Sequence, residues 1–92
     1  MCNGAMSFKV GEIEYVGGKV RPGVAKEVVV VTDAGYEIYE DTNLVDSGKC
    51  EINGDAIRFL FEAKKAGVFV VKMFACVGKE KTIDSFTLVV EE

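Results

Sequence analysis

Asp55-Ala56-Ile57-Arg58-Phe59-Leu60-Phe61-Glu62-Ala63-Lys64-Lys65-Ala66-Gly67 is the stretch on which the fold turns. Two readings compete for it. As a helix, Asp55 caps the first turn, Gly67 stops the last, and Glu62, Lys64 and Lys65 form a wet side. As a strand, Ile57, Phe59 and Phe61 alternate with Arg58, Leu60 and Glu62, and a single helical turn at Ala63 to Ala66 follows. The strand is the better reading, because Phe59, Leu60 and Phe61 in succession would leave so short a helix apolar around most of its girth. Downstream, Val68 to Val77 reads as a long strand and Thr82 to Val90 as the last one, joined by a turn through Gly78-Lys79-Glu80-Lys81.

Upstream the same grammar repeats. Phe8 to Val16 alternates as an opening strand with Gly11 as a bulge, and Gly17-Gly18 ends it. Arg21-Pro22-Gly23 is a turn signal before Lys26 to Thr32, where Val28, Val29, Val30 and Val31 suit a pleated surface. Asp33-Ala34-Gly35 breaks that run, and Tyr36 to Glu40 resumes as a half-exposed strand. Asp41 to Gly48 is a connection or a short edge strand. Cys50 to Ile52 is another short strand, closed by Asn53-Gly54, a hairpin dipeptide. About seven strands with turns every 8–12 residues predict an all-β sandwich. The alternative is an α+β fold with one helix at 55–66 on a mixed sheet. Residues 1–6 read as a disordered leader or a cloning remnant, and residues 7–92 as a single β-sandwich domain.

Composition narrows function more by exclusion than by assignment. The chain has 92 residues, 49% hydrophobic and 28% charged, which excludes intrinsic disorder and leaves no apolar run long enough to insert in a membrane. A chain of this size hides about 64% of its extended surface, enough for one small core. The net charge of −4 and pI of 4.8 argue against nucleic acid as a partner, and Arg21 and Arg58 are the only arginines. With no histidine, the usual general base and the commonest metal ligand are both missing. The three cysteines, Cys2, Cys50 and Cys76, lie at wide spacings with no CxxC pair. Only Cys50 with Cys76 falls inside the expected fold, either bridged or as two buried thiols.

Phe61-Glu62-Ala63-Lys64-Lys65-Ala66-Gly67-Val68-Phe69-Val70-Val71, with Phe86-Thr87-Leu88-Val89-Val90, resembles the last three strands of immunoglobulin-like domains in prokaryotic surface and periplasmic proteins. Phe69 takes the place often held by the corner tyrosine. Arg21-Pro22-Gly23 before a valine-rich strand is similar to the second strand of cell-adhesion-related repeats. The resemblance implies an immunoglobulin-like β-sandwich of about seven strands, in a protein that is extracellular or at the cell surface. The segment around Ala63 and Gly67 also looks like the approach to the copper loop of cupredoxins, but such sites need histidine. Cys76 therefore reads as a packing residue and not as a copper ligand, and no cofactor is expected.

Three patterns are candidate sites. Glu37, Glu40, Asp41, Asp46, Glu51 and Asp55 could offer oxygens to calcium, yet Val45 and Ile52 break the spacing of a calcium loop. Glu12 and Glu14, about 7 Å apart along one strand face, match a glycosidase spacing without any accompanying cleft, so no enzyme is expected. The third pattern is a failure of alternation. In Val28 to Val31 and in Val68 to Phe74 both faces are apolar; Phe69, Val71 and Met73 fill the core, which leaves Val68, Val70 and Phe74 in need of cover, with Tyr36 and Tyr39 adding contact surface nearby. The function expected is a non-catalytic interaction or assembly module that forms a homodimer or binds a protein partner. The alternative is a carbohydrate- or calcium-binding module using Tyr15, Tyr36 and Tyr39 with the acidic loop, a reading weakened by the absence of tryptophan.

Overall fold

The computed structural model describes residues 5–20 and 30–92. Its strands are β1 (Ala5–Lys9), β2 (Ile13–Lys19), β3 (Asp33–Glu40), β4 (Asn43–Lys49), β5 (Glu51–Asn53), β6 (Ala56–Glu62), β7 (Gly67–Val77) and β8 (Glu80–Glu91). The deciding stretch is β6. Ile57, Phe59 and Phe61 are buried while Arg58, Leu60 and Glu62 are exposed, a period of two that no helix can produce. The helix considered for 55–66 is overturned, and no helix occurs among the described residues. The single turn expected at Ala63 to Ala66 is absent too. The Ala63 amide donates to the Glu12 carbonyl at 2.9 Å and its carbonyl accepts from the Gly11 amide at 2.8 Å, so neither group is left for a helical bond.

Five strands form one sheet in the order β1-β8-β7-β3-β4, and three form the other in the order β2-β6-β5. β1 runs parallel to β8; the other pairs are antiparallel. The expected opening strand, Phe8 to Val16, is two strands in different sheets. The chain crosses between them at Val10 to Glu12, where Gly11 takes a φ of 99° that a side chain would oppose. Gly17 and Gly18 do not end β2 but lie inside it, and Asp33 to Gly35 begins β3 instead of breaking the chain. Ala5 and Met6, expected in the leader, pair with Thr87 and Leu88 in β1. Of the valine run expected as a strand, 26–29 lie outside the described residues, and Val30 to Thr32 are not in a strand.

Three hairpins, β3–β4, β5–β6 and β7–β8, share one device. Each has a two-residue loop whose first residue has positive φ: Asp41 at 56°, Gly54 at 62° and Gly78 at 61°. The change of sheet between β4 and β5 falls at buried Cys50, whose amide donates to the Ala34 carbonyl at 3.0 Å. The order β2-β6-β5 against β8-β7-β3-β4 is that of the B-E-D and G-F-C-C′ strands of immunoglobulin domains.

The core lies between the sheets. Leu88, Val16 and Val71 are its largest fully enclosed side chains. Val16 on β2 and Val71 on β7 stand on the strands that carry the inter-sheet disulfide of antibody domains, so packing replaces the covalent link here. Phe8 meets Phe61 edge-on at 5.2 Å between ring centroids, and Tyr36 stacks on Phe59 at 3.9 Å. Phe69 at the start of β7 is buried, filling the corner without a hydroxyl.

Candidate functional site: the outer face of the five-stranded sheet

β7 is the central strand of the larger sheet, and its two faces are both largely apolar. Phe69, Val71, Met73 and Ala75 point inward; Val68, Val70, Lys72, Phe74 and Cys76 point outward. The pairing arranges the outer face in rows across the strands. Val68 stands beside Val89. Val70 lies between Thr87 and Tyr39, with Leu44 beyond. Lys72 lies between Ser85 and Glu37, with Ser47 beyond. Phe74 lies between Ile83 and Gly35. Val68 is 58% exposed, Ile83 61% and Leu44 53%; Val70, Phe74, Tyr39 and Val89 are half-buried.

The rows therefore read apolar, apolar, polar, apolar along β7. From the row above, Tyr39 reaches into the polar row: its hydroxyl donates to Glu37 at 2.9 Å, and the Lys72 ammonium lies 5.3 Å from its ring centre. That hydrogen bond to a carboxylate pushes the Tyr39 hydroxyl above its usual pKa. In the apolar row below, the Phe74 ring lies over Gly35, where a Cβ would come within 2.5 Å of it, and Lys81 sits 4.7 Å from the ring centre.

Tyr36, expected beside Tyr39 on this surface, is on the opposite face. Parity decides it: Tyr36 shares its side of β3 with buried Ala34 and Ile38, and its ring stacks on Phe59 between the sheets. Burial raises its hydroxyl pKa, helped by the neighbouring Asp46 carboxylate. Sequence reasoning also missed Ile83, Val89 and Leu44. The alternation around Leu88 and Val90, both buried, could have placed Val89 and Ile83 outside.

The other candidates disperse. Glu12 lies in the turn before β2 and accepts the Lys9 amide at 2.6 Å, while Glu14 is on the strand, so the two share no strand face. Of the acidic residues, Glu40 pairs with Lys65 at 2.9 Å and Glu51 with Arg58 at 3.5 Å. No group of three potential metal ligands occurs among the described residues. Tyr15 lies on the outer face of the smaller sheet with Arg58 stacked 3.9 Å over its ring, beside exposed Leu60 and Ile13. That face is narrower, and its centre is occupied by the Arg58–Glu51 pair. The Cys50 and Cys76 thiols are free. Cys76 is half-buried on the outer face of β7, and Cys50 is buried in the connection between β4 and β5.

No protein-family model matches the chain, and no curated protein matches it. Solved structures do. The chain is similar to an engineered protein with a TM-score of 0.76 and 12% identity, the match covering 98% of this chain and 18% of that one. It is similar to CopC from Methylosinus trichosporium OB3b, TM-score 0.68 and 12% identity, over 95% of this chain and 83% of that one. A chimeric titin Z1Z2 functionalised with an exogenous decorin peptide matches at 0.50 and 17%, over 95% and 86%. The fold is an immunoglobulin-like β-sandwich. Identities this low speak for the fold alone, and the chain spans less than a fifth of the engineered protein's length.

Proposed function

We propose that this sandwich is a non-catalytic interaction module that docks through the outer face of its five-stranded sheet, as a domain of a surface or secreted protein. The observation that carries the reading is the central strand, whose outward residues Val68, Val70 and Phe74 sit beside Val89, Tyr39 and Ile83 with no cover among the described residues. Covering a side chain of this size fully is worth about 1.5–3 kcal/mol, so a partner that covers several gains a usable driving force. The resemblance of Phe61 to Val71 and Phe86 to Val90 to prokaryotic surface-protein domains supports the location.

The test separates a docking face from a structural one. In a Val68→Thr/Val70→Thr double variant the strand keeps β-branched residues, so only outward apolar surface is removed. At low protein concentration its stability to urea stays within about 0.5 kcal/mol of the parent, and its retention on a phenyl matrix falls. A loss above about 1.5 kcal/mol would show that the chain itself covers this face, and the reading would fail.

A further inference from the structure

We propose that the partner for this face is a second copy of the chain, docked about a two-fold axis that runs along the strands between β7 and β3. The inference rests on the interaction reading above and adds the occupant and its register. Two copies packed face to face are related by an axis lying in the plane of the interface, and an isologous contact must be complementary to itself. The face has a charged pair near its centre, Lys72 on β7 directly across from Glu37 on β3. An axis along the strands between β7 and β3 keeps each row and exchanges the two strands. Lys72 then meets Glu37 of the second copy twice, Val70 meets Tyr39, and Phe74 meets the Phe74 ring that lies over Gly35. An axis across the strands through the same row would set Lys72 on Lys72 and Glu37 on Glu37. A shift by one row would press Lys72 into Val70 and Tyr39 or into Phe74, leaving a desolvated charge without a partner. Charge therefore selects one axis and one register.

The area is that of a modest, concentration-dependent contact. An axis between β7 and β3 superposes β8-β7-β3-β4, so eleven residues of β7 at about 3.4 Å each and three strand spacings at about 4.8 Å give a flat face of roughly 540 Å². A standard stable interface takes about 800 Å² per partner, so the dimer is expected on the weak side of that class. Aligned sheet packing at about 30° moves the outer rows most and the central pair least.

Sedimentation velocity across a concentration series tests this with the whole chain. The parent forms a dimer whose fraction rises with concentration, and Val70→Lys is a folded monomer. Lys72→Glu and Glu37→Lys each weaken the dimer at least tenfold. An equimolar mixture of these two variants recovers it as a heterodimer, since each copy then presents like charges to itself and opposite charges to its partner. Recovery can come only from contact between copies, because within each copy the two side chains repel. A mixture that stays monomeric, or variants that dimerise as the parent does, overturns the register. A parent that stays monomeric throughout overturns the second copy as occupant, while the Thr variant above still decides whether the face docks at all. If a charge reversal fails to fold by circular dichroism, Lys72→Gln and Glu37→Gln serve in its place, each expected to weaken the dimer and refuting the register if neither does.

Discussion

Gly35 and Phe74 are coupled across the sheet, and replacing Gly35 by alanine should be costly only while Phe74 is present. A Cβ at Gly35 would lie 2.5 Å from two atoms of the Phe74 ring and 3.0 Å from the Gly48 carbonyl oxygen. Carbon atoms rest at about 3.5–4.0 Å, so the ring must swing outward by about 1 Å or more. The ring then loses its bed on β3 and its approach to Lys81, which for a half-buried phenylalanine costs about 1–2 kcal/mol. With Phe74→Ala in place the obstacle is gone. Alanine then recovers about 0.5–1 kcal/mol relative to glycine in a strand, set against the remaining closeness to Gly48 on an edge strand that can yield. Urea unfolding of the parent, Gly35→Ala, Phe74→Ala and the double variant, at concentrations too low for association, measures the coupling. We expect it at about 1–2 kcal/mol, with the Gly35→Ala penalty shrinking to near zero in the Phe74→Ala background. Strictly additive effects, within about 0.5 kcal/mol, would refute the placement of the ring.

Asp41→Gly should stabilise the domain by about 0.5–1 kcal/mol, raising Tm by a few degrees in a thermal scan, because Asp41 alone of the three loop-opening residues pays a side-chain penalty at positive φ. Val71→Ala should cost about 2–3 kcal/mol in the same assay, since its side chain is wholly enclosed in the core. Burial pushes the Cys50 thiol up to about 11, so the folded state favours the protonated form. That contribution is complete below the ordinary thiol value of about 8.5 and is lost as pH rises towards 11; stability should fall over that window, and Cys50→Ala should flatten part of the fall. Iodoacetamide at neutral pH should likewise label Cys76 in the native protein and leave Cys50 unlabelled until urea unfolds the chain.

Where the sequence alternates, its faces could be read directly. Ile57, Phe59 and Phe61 against Arg58, Leu60 and Glu62 gave β6 and with it the sandwich. Inward Phe69, Val71 and Met73 were legible for the same reason. Glycine misled the boundaries. Gly17, Gly18 and Gly35 read as breakers, yet each sits inside a strand, and at Gly35 the missing side chain makes room for an aromatic ring on the next strand. That is a tertiary fact with no local mark. Tyr36 and Tyr39 are alike in type, yet their odd separation sends them to opposite faces, and only pairing with a buried strand shows which one goes inside. The split of Phe8 to Val16 between two sheets was hidden because a glycine at a sheet change and a glycine at a bulge look alike in sequence.

The edges of the larger sheet argue for face-to-face docking in preference to strand addition. β4 is exposed along its whole length, the usual template for another chain's strand. It is nevertheless guarded. A register break opposite Ile38 and Tyr39 bends it, and Asp46 and Lys49 place charges along it. β1 at the other edge has five residues and ends in Lys9, and β5 on the smaller sheet has three. These are the devices by which sheet proteins prevent edge pairing, and an isologous face contact closes at two copies because it uses up the only surface it needs. Charge and a register break on β4, and the shortness of β1 and β5, disfavour strand addition there, which leaves the outer face of the larger sheet as the surface on which the proposed contact would close at two copies.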